Sequence, residues 1–348
     1  MKKVLVGNRI IGDGYPTLIV AEAGVNHNGN LELAKKLIDI AVDAKADVVK
    51  FQKFKAEKLA TKDAKMASYQ HKNIGKNETQ YSMLKKLELK DEDYKELIKY
   101  ANKKGIMFLC TPFDEESADF LHNIGMKFFK ISSTDTTNLP FLEHIAKKGL
   151  PIILSTGMSN LDDVKKAVNL IKKYNKNLIV LHCTTDYPSK IEDVNLRAMN
   201  TIKNECNVLV GYSDHTEGII VPQIAVAHGA VVIEKHFTLD KNLPGPDHKA
   251  SLNPSELKEM VKAIRHVEKI LGSHKKDITK SEKEIMKIAR KSLVAAVNIK
   301  KGSLIKKEML IIKRPGYGIS PIDINKILGK KVVSDIKKDE LIKFEKLK

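Results

Sequence analysis

The sequence predicts an α/β fold: a parallel eight-stranded (β/α)8, or TIM, barrel followed by a small C-terminal module. Three observations carry this expectation. Short β-branched apolar runs alternate with amphipathic stretches from residue 17 to about residue 272. Eight such runs over roughly 250 residues match the size and rhythm of that barrel. After residue 290 the texture changes to short strand-like pieces, lysine–glycine turns and brief helical fragments.

The strand-like runs are TLIVAEAG (17–24), DVVKFQKF (47–54), IMFLCTP (106–112), KFFKISS (127–133), PIILSTG (151–157), NLIVLHCT (177–184), NVLVGYSD (207–214) and VVIEKHFT (231–238). Such continuously apolar runs suit strands covered on both faces, as a parallel barrel requires. Between them lie segments of helical period, such as LELAKKLIDIAVDA, DYKELIKYANKKG and PSELKEMVKAIRHVEKILG. An open doubly wound sheet is the competing architecture, but it wants a Gly-rich phosphate turn after the first strand, and GxGxxG is absent there. Residues 55–90 form a connection far longer than a usual βα loop. On a barrel it emerges at the C-terminal face and is expected to wall or cover the site. The expected domains are a barrel over 1–272, a linker over 273–289 and a small domain over 290–348.

Composition excludes several classes. No apolar run approaches the roughly 18 residues of a membrane span. The opening MKKVLVGNRIIGDG is too short in its apolar part for a signal peptide, so a cytoplasmic location is expected. Cys110, Cys183 and Cys206 are widely spaced and read as reduced core residues. The net charge of +18 invites a nucleic-acid reading. Against it, there are five arginines, the lysines are interleaved with acids on helix surfaces, and aromatics are only 5%. A solvated lysine-rich surface that attracts anionic substrates is the better reading.

In a barrel, strand ends at the C-terminal face hold the site. Those ends carry Glu22; Lys50 and Gln52; Thr111; Lys130 and Ser133; Ser155; His182 and Thr184; Ser213, Asp214 and His215; and Glu234 with His236. Polar groups at all eight ends are hard to explain as packing, since each unpaired buried polar atom costs about 1–3 kcal/mol. Lys50 and Lys130 with nearby hydroxyls suggest an anion shell. His215 and His236, on adjacent strands with Glu22 beyond, suggest a divalent metal with open positions. GPDH (245–248) follows the last strand and brings Asp247 over the same mouth.

Eight motifs taken together are identifiable. AEAGVNHNG (21–29), VKFQKF (49–54), CTPFD (110–114), ILSTGM (153–158), GYSDHT (211–216), EKHFTLDK (234–241), GPDHKASL (245–252) and KRPGYGISP (313–321) resemble the sialic acid (N-acetylneuraminate) synthase family, in order and over nearly the whole chain. The resemblance implies a TIM barrel with a C-terminal antifreeze-like (SAF) domain, in a domain-swapped homodimer whose small domains cap the partner barrels. It implies condensation of phosphoenolpyruvate with an N-acyl-mannosamine-type amino-hexose and release of phosphate.

By the same resemblance, His215 and His236 match ligands of Mn²⁺ or Mg²⁺, and Lys50, Thr111, Lys130, Ser133, Ser155 and Ser213 match phosphoenolpyruvate contacts. Glu22 and Asp247 match acids beside the sugar, with Glu22 the candidate acid–base group. Gln52, Asp135 and Tyr187 match residues near either substrate, and Arg314 matches the arginine that reaches across the dimer to the N-acyl group. Asp135, Thr185, Tyr317 and the GPDHKAS form depart from the commonest pattern near the sugar, which opens a second substrate: a 2,4-diacetamido-trideoxyhexose leading to legionaminic acid. A surface-binding protein on an inactive barrel is the competing class; the paired histidines and lysines argue against it.

Overall fold

A computed structural model of the protein describes residues 2–74 and 78–348. Its strands are β1 (Lys3–Val6), β2 (Arg9–Gly12), β3 (Leu18–Gly24), β4 (Val48–Lys53), β5 (Met107–Pro112), β6 (Phe129–Ile131), β7 (Ile152–Ser155), β8 (Leu178–Cys183), β9 (Leu209–Asp214), β10 (Val232–His236), β11 (Ser292–Ala295) and β12 (Leu310–Lys313). The chain divides into two compact units, Met1–Gly272 and Ser273–Lys348.

The first unit is the expected barrel. β3 to β10 form one parallel sheet in the order β5-β4-β3-β10-β9-β8-β7-β6, and its end strands β5 and β6 lie beside each other, so the barrel is nearly closed. All eight strands fall inside the runs read from the sequence. Their residues are almost wholly buried because helices cover the outer face while side chains fill the inside. The helices start where the sequence supplies caps: Asn30, Asn160 and Asn253 each accept a first-turn N–H, the latter two within capping boxes.

A hairpin not anticipated from the sequence precedes the barrel. β1 and β2 pair antiparallel across the turn at Gly7–Asn8, where Gly7 takes φ +62°. A Gly-Asn pair between two apolar runs was the available signal. Arg9 of this hairpin pairs with Asp47, which also takes Arg265 Nη2 at 2.6 Å and the Ile19 N–H at 2.8 Å.

The 55–90 connection folds as short helices, Ala56–Leu59, Ser68–Ile74 and Gln80–Leu87, around a small apolar cluster that includes Phe54, Met66, Met83, Leu84 and Leu87. Residues 75–77 of that connection lie outside the described residues.

The second unit pairs β11 with β12 and adds isolated bridges and 3-10 turns around Leu293, Ile299, Ile305, Ile327, Val332, Ile336 and Ile342. Within the stretch expected as a linker stands a helix, Lys280–Ala289, opened by a Thr279–Glu282 capping box.

Candidate active site

Strand register assembles the site. Glu22 on β3 is the register partner of His236 on β10 and of Lys50 on β4, and Ser213 on β9 is the partner of Glu234. A bulge between Glu22 and Gly24 lets β3 turn away from β4 there. At Gly24, φ is +55° and a Cβ would stand 3.3 Å from His236 Cε1 and 3.4 Å from Glu22 Oε1, so a larger residue would crowd both.

One cavity of about 390 Å³ at the C-terminal mouth collects Glu22, Lys50, Gln52, Thr111, Lys130, Ser133, Ser155, Tyr187, Ser213, His215, His236 and Asp247. Its floor is charged and buried. Lys50 Nζ lies 3.1 Å from Glu22 Oε2, 3.4 Å from Glu234 Oε2 and 3.1 Å from Thr111 Oγ1. Lys130 Nζ lies 3.5 Å from Glu234 Oε1, to which Ser213 also donates. Ser155 Oγ is buried with no hydrogen-bond partner, so its capacity is open to a ligand. Gly157 N–H donates to Ser133 Oγ at 2.9 Å, and a Cβ at Gly157 would collide with Thr185 Oγ1, so glycine is what lets this edge of the cradle close. Burial pushes the Glu22 carboxyl up to about 7 against the pull of Lys50. Burial also opposes the charge on Glu234, but Lys130 and Lys50 together hold it at about 2.

The two histidines fit a divalent cation. His215 Nδ1 lies 2.7 Å from the Thr184 carbonyl and donates to it, so that in the neutral ring Nε2 is the acceptor; burial opposes charge on this ring, but Cys183 beside it raises its pKa above the usual histidine value. His236 Nδ1 is buried with no hydrogen-bond partner, and burial, then the neighbouring His215, keeps that ring neutral. The ring centroids are 5.6 Å apart. Among the described residues no three His, Cys, Asp or Glu side chains converge as a ligand set. A cation held by these two imidazoles would therefore complete its shell with water and substrate oxygens.

Loops close the upper part. The Tyr187 ring lies 4.1 Å from that of His215 and stacks on Tyr69 of the 55–90 connection at 5.2 Å. Asn73 donates to the Pro246 carbonyl, and His248 is held between Thr238 and Asn28. These bonds pin the loop that carries Asp247, whose carboxyl burial pushes up to about 6.

Three sequence readings change. Asp135 does not line the cavity: its carboxylate accepts from Asn138 in the turn after β6, and Ser132, Ser133 and Thr134 face the space instead. His182 and Thr184 bond the Val194 and Asp193 carbonyls, so they tie down a loop. Asp214 faces away from the mouth and pairs with Lys235. Arg314 belongs to the second unit, where it is exposed and its Nε donates to the Ala289 carbonyl. Sequence reasoning gave no role to Glu234, between the two lysines, although its two-residue spacing from His236 put both on one face. The 55–90 connection walls the cavity as expected, but which of its residues do so, Met83, Leu84 and Leu87 among them, was not legible because the connection has no strand register.

A model of the NeuB family matches residues 37–276, and a SAF domain model matches residues 290–348. The chain is 52% identical over 330 residues to an N,N'-diacetyllegionaminic acid synthase of Campylobacter jejuni, covering 94% of this chain and 99% of that one. It is 39% identical to the human N-acetylneuraminate-9-phosphate synthase, covering 98% and 95%. The crystal structure of an N-acetylneuraminic acid synthetase from Leptospira borgpetersenii, in complex with citrate, superposes with a TM-score of 0.73 at 38% identity, covering 82% of this chain and 95% of that one. With a barrel whose mouth carries this set of side chains, and with synthases of sialic-type acids aligned along nearly its full length, the chain belongs to the NeuB family and is an enzyme of the nonulosonic acid synthase kind.

Proposed function

We propose that this enzyme condenses phosphoenolpyruvate with an open-chain N-acyl amino-hexose, forming a nine-carbon 2-keto acid and releasing inorganic phosphate. The observation that carries this reading is the pairing, in one cavity, of a buried lysine–hydroxyl cradle with two adjacent imidazoles. Lys50 and Lys130, with Thr111, Ser133, Ser155 and Ser213, would fix the phosphate and carboxylate and so hold carbon 3 against the sugar aldehyde. His215 and His236 would hold Mn²⁺ or Mg²⁺, which supplies Lewis-acid polarisation of the aldehyde. Carbon 3 then bonds to the aldehyde carbon, water adds at C2, and the C–O bond to phosphate breaks. Glu22, with its carboxyl near 7, is suited to take the proton from that water. Arg314 from a partner chain, in a domain-swapped homodimer, belongs to this proposal as the contact to the N-acyl group.

Three sugars come into question, and the uncharged wall favours one. The described residues of the 55–90 connection that line the cavity, among them Tyr69, Met83, Leu84 and Leu87, include no charged group. Such a wall suits a deoxy, unphosphorylated sugar end, as in a 2,4-diacetamido-trideoxyhexose, better than N-acetylmannosamine or its 6-phosphate. The similarity to a diacetyllegionaminic acid synthase supports the same choice. The test is phosphate release from phosphoenolpyruvate with these three sugars, with and without chelator. The deoxy sugar is expected to lead in kcat/KM by about tenfold or more. A preference for the phosphorylated sugar would overturn the sugar assignment alone; no release with any sugar, metal present, would sink the condensation.

A further inference from the structure

Lys235 lies in the last barrel strand, yet its side chain has 0% exposure. Alternation along β10 turns Glu234 and His236 into the mouth and Lys235 to the opposite face, against the helical layer. There its Nζ meets Asp214 Oδ2 at 2.5 Å, and the Asp214 side chain also has 0% exposure. Lys235 and Asp214 are register partners, so the pair ties β10 to β9 directly.

The contacts continue around His215. Lys235 Nζ also donates to the Thr216 carbonyl, and Asp214 Oδ1 accepts from Thr216 N at 3.0 Å and from Thr216 Oγ1 at 2.9 Å. Residues 214 and 216 are thus both clamped to the neighbour of His236. The His215 carbonyl is held from the other side by the Ser189 N–H at 2.8 Å. Replacing a buried ion pair by apolar residues of similar volume is often neutral or stabilising, so stability alone is weak ground for keeping this one.

We propose that Lys235 and Asp214 are positioning residues that set the spacing and orientation of the His215/His236 pair, acting from behind the barrel wall through the backbone of both strands. This rests on the reading of the two histidines as the divalent-cation ligands. Neither residue lines the cavity, so their influence on the anion cradle is expected to be small.

The test uses the full chain and three variants: Lys235→Met, Asp214→Asn and the double Lys235→Met/Asp214→Asn. Mn²⁺ affinity is read from the electron paramagnetic resonance signal of free Mn²⁺, and phosphoenolpyruvate affinity by calorimetry in chelator. Each single variant is expected to weaken Mn²⁺ binding about 10- to 100-fold, the effect of losing an outer-shell support, with phosphoenolpyruvate affinity within about twofold. The double variant leaves no unpaired buried charge, so its Tm returns towards the wild-type value while Mn²⁺ binding stays weak. Recovery of Mn²⁺ affinity together with Tm in the double variant, or equal loss of both ligands in the singles, would reduce the pair to a structural role and overturn the proposal. If the single variants do not fold, the double variant decides alone. If the wild-type protein takes up no Mn²⁺, the cation reading fails by itself. The imidazole ¹⁵N chemical shifts of His215 and His236 then decide, and shifts unchanged in the double variant would overturn the positioning role.

Discussion

Glu22 and Glu234 share one ammonium group: Lys50 Nζ stands 3.1 Å from the first and 3.4 Å from the second. Their protonation nevertheless diverges. Glu22 rises with burial to about 7 against the pull of Lys50, with Glu234 adding to the rise, whereas Glu234, held by Lys130 as well as Lys50, falls to about 2. Carboxyls pushed apart in this way divide the labour of a site, one exchanging protons and the other staying a fixed charge.

Replacing Glu22 by Gln keeps the hydrogen bond from Gln52 possible but removes the proton acceptor. The expected outcome is a fall in kcat of about 10²–10⁴ with phosphoenolpyruvate affinity nearly unchanged. In the wild-type enzyme kcat/KM rises as pH climbs through about 7, where Glu22 ionises, and the Gln variant lacks that limb. Steady-state pH profiles check this, and full turnover in Glu22→Gln would remove the role.

Glu234→Gln acts differently. It leaves Lys50 and Lys130 buried with less compensating charge, and the expected loss is about 3 kcal/mol of stability. Phosphoenolpyruvate brings negative charge to the same lysines, so the Tm rise on adding it should exceed the wild-type rise. Thermal unfolding with and without phosphoenolpyruvate reads both effects; an increment equal to wild type would show that Glu234 does not compete for the cradle.

His27 predicts acid sensitivity. Its ring is buried, Nδ1 accepts the Gly29 N–H at 3.0 Å, and burial, then His248, holds its pKa down to about 4. An unfolded histidine titrates near 6.5, so between about 4 and 6.5 the unfolded chain binds a proton that the folded chain refuses. The stability this group contributes is complete above about 6.5 and is lost as pH falls through that window, by at most about 1.4 kcal/mol per pH unit. Urea unfolding between pH 7 and pH 5 should show a shallower pH slope in His27→Asn, and an unchanged slope would assign the effect to other groups.

Asp47 predicts a stability effect remote from the chemistry. It accepts from Arg9, Arg265 and the Ile19 N–H, joining the hairpin and the last barrel helix to the start of the first barrel strand. Asp47→Ala should cost about 2 kcal/mol and lower Tm by roughly 4–8 °C, with KM values unchanged. Altered kinetics at equal stability would contradict it.

The sequence by itself determined the barrel and most of the site's side-chain types. Eight β-branched runs separated by helical periods, with no Gly-rich turn after the first, favour a parallel barrel over an open doubly wound sheet, and strand ends in such a barrel are where function sits. Asn30, Asn160 and Asn253 cap helix starts through hydrogen bonds within a few residues, so these boundaries are set locally. Tertiary structure decided which of two alternating neighbours faced the mouth. Two-residue alternation tells which residues share a face, but at a strand end both faces of a closed barrel are covered, and only closure and register assign the inside. That is why Lys235 and Asp214 turned out to pair behind the wall, His182 and Thr184 to bind a loop, and Asp135 to close a turn. Strand order already put Glu22 beside His236, but only register set Glu22 level with both His236 and Lys50, because the pairing offset between strands is fixed by barrel closure and not by any local pattern.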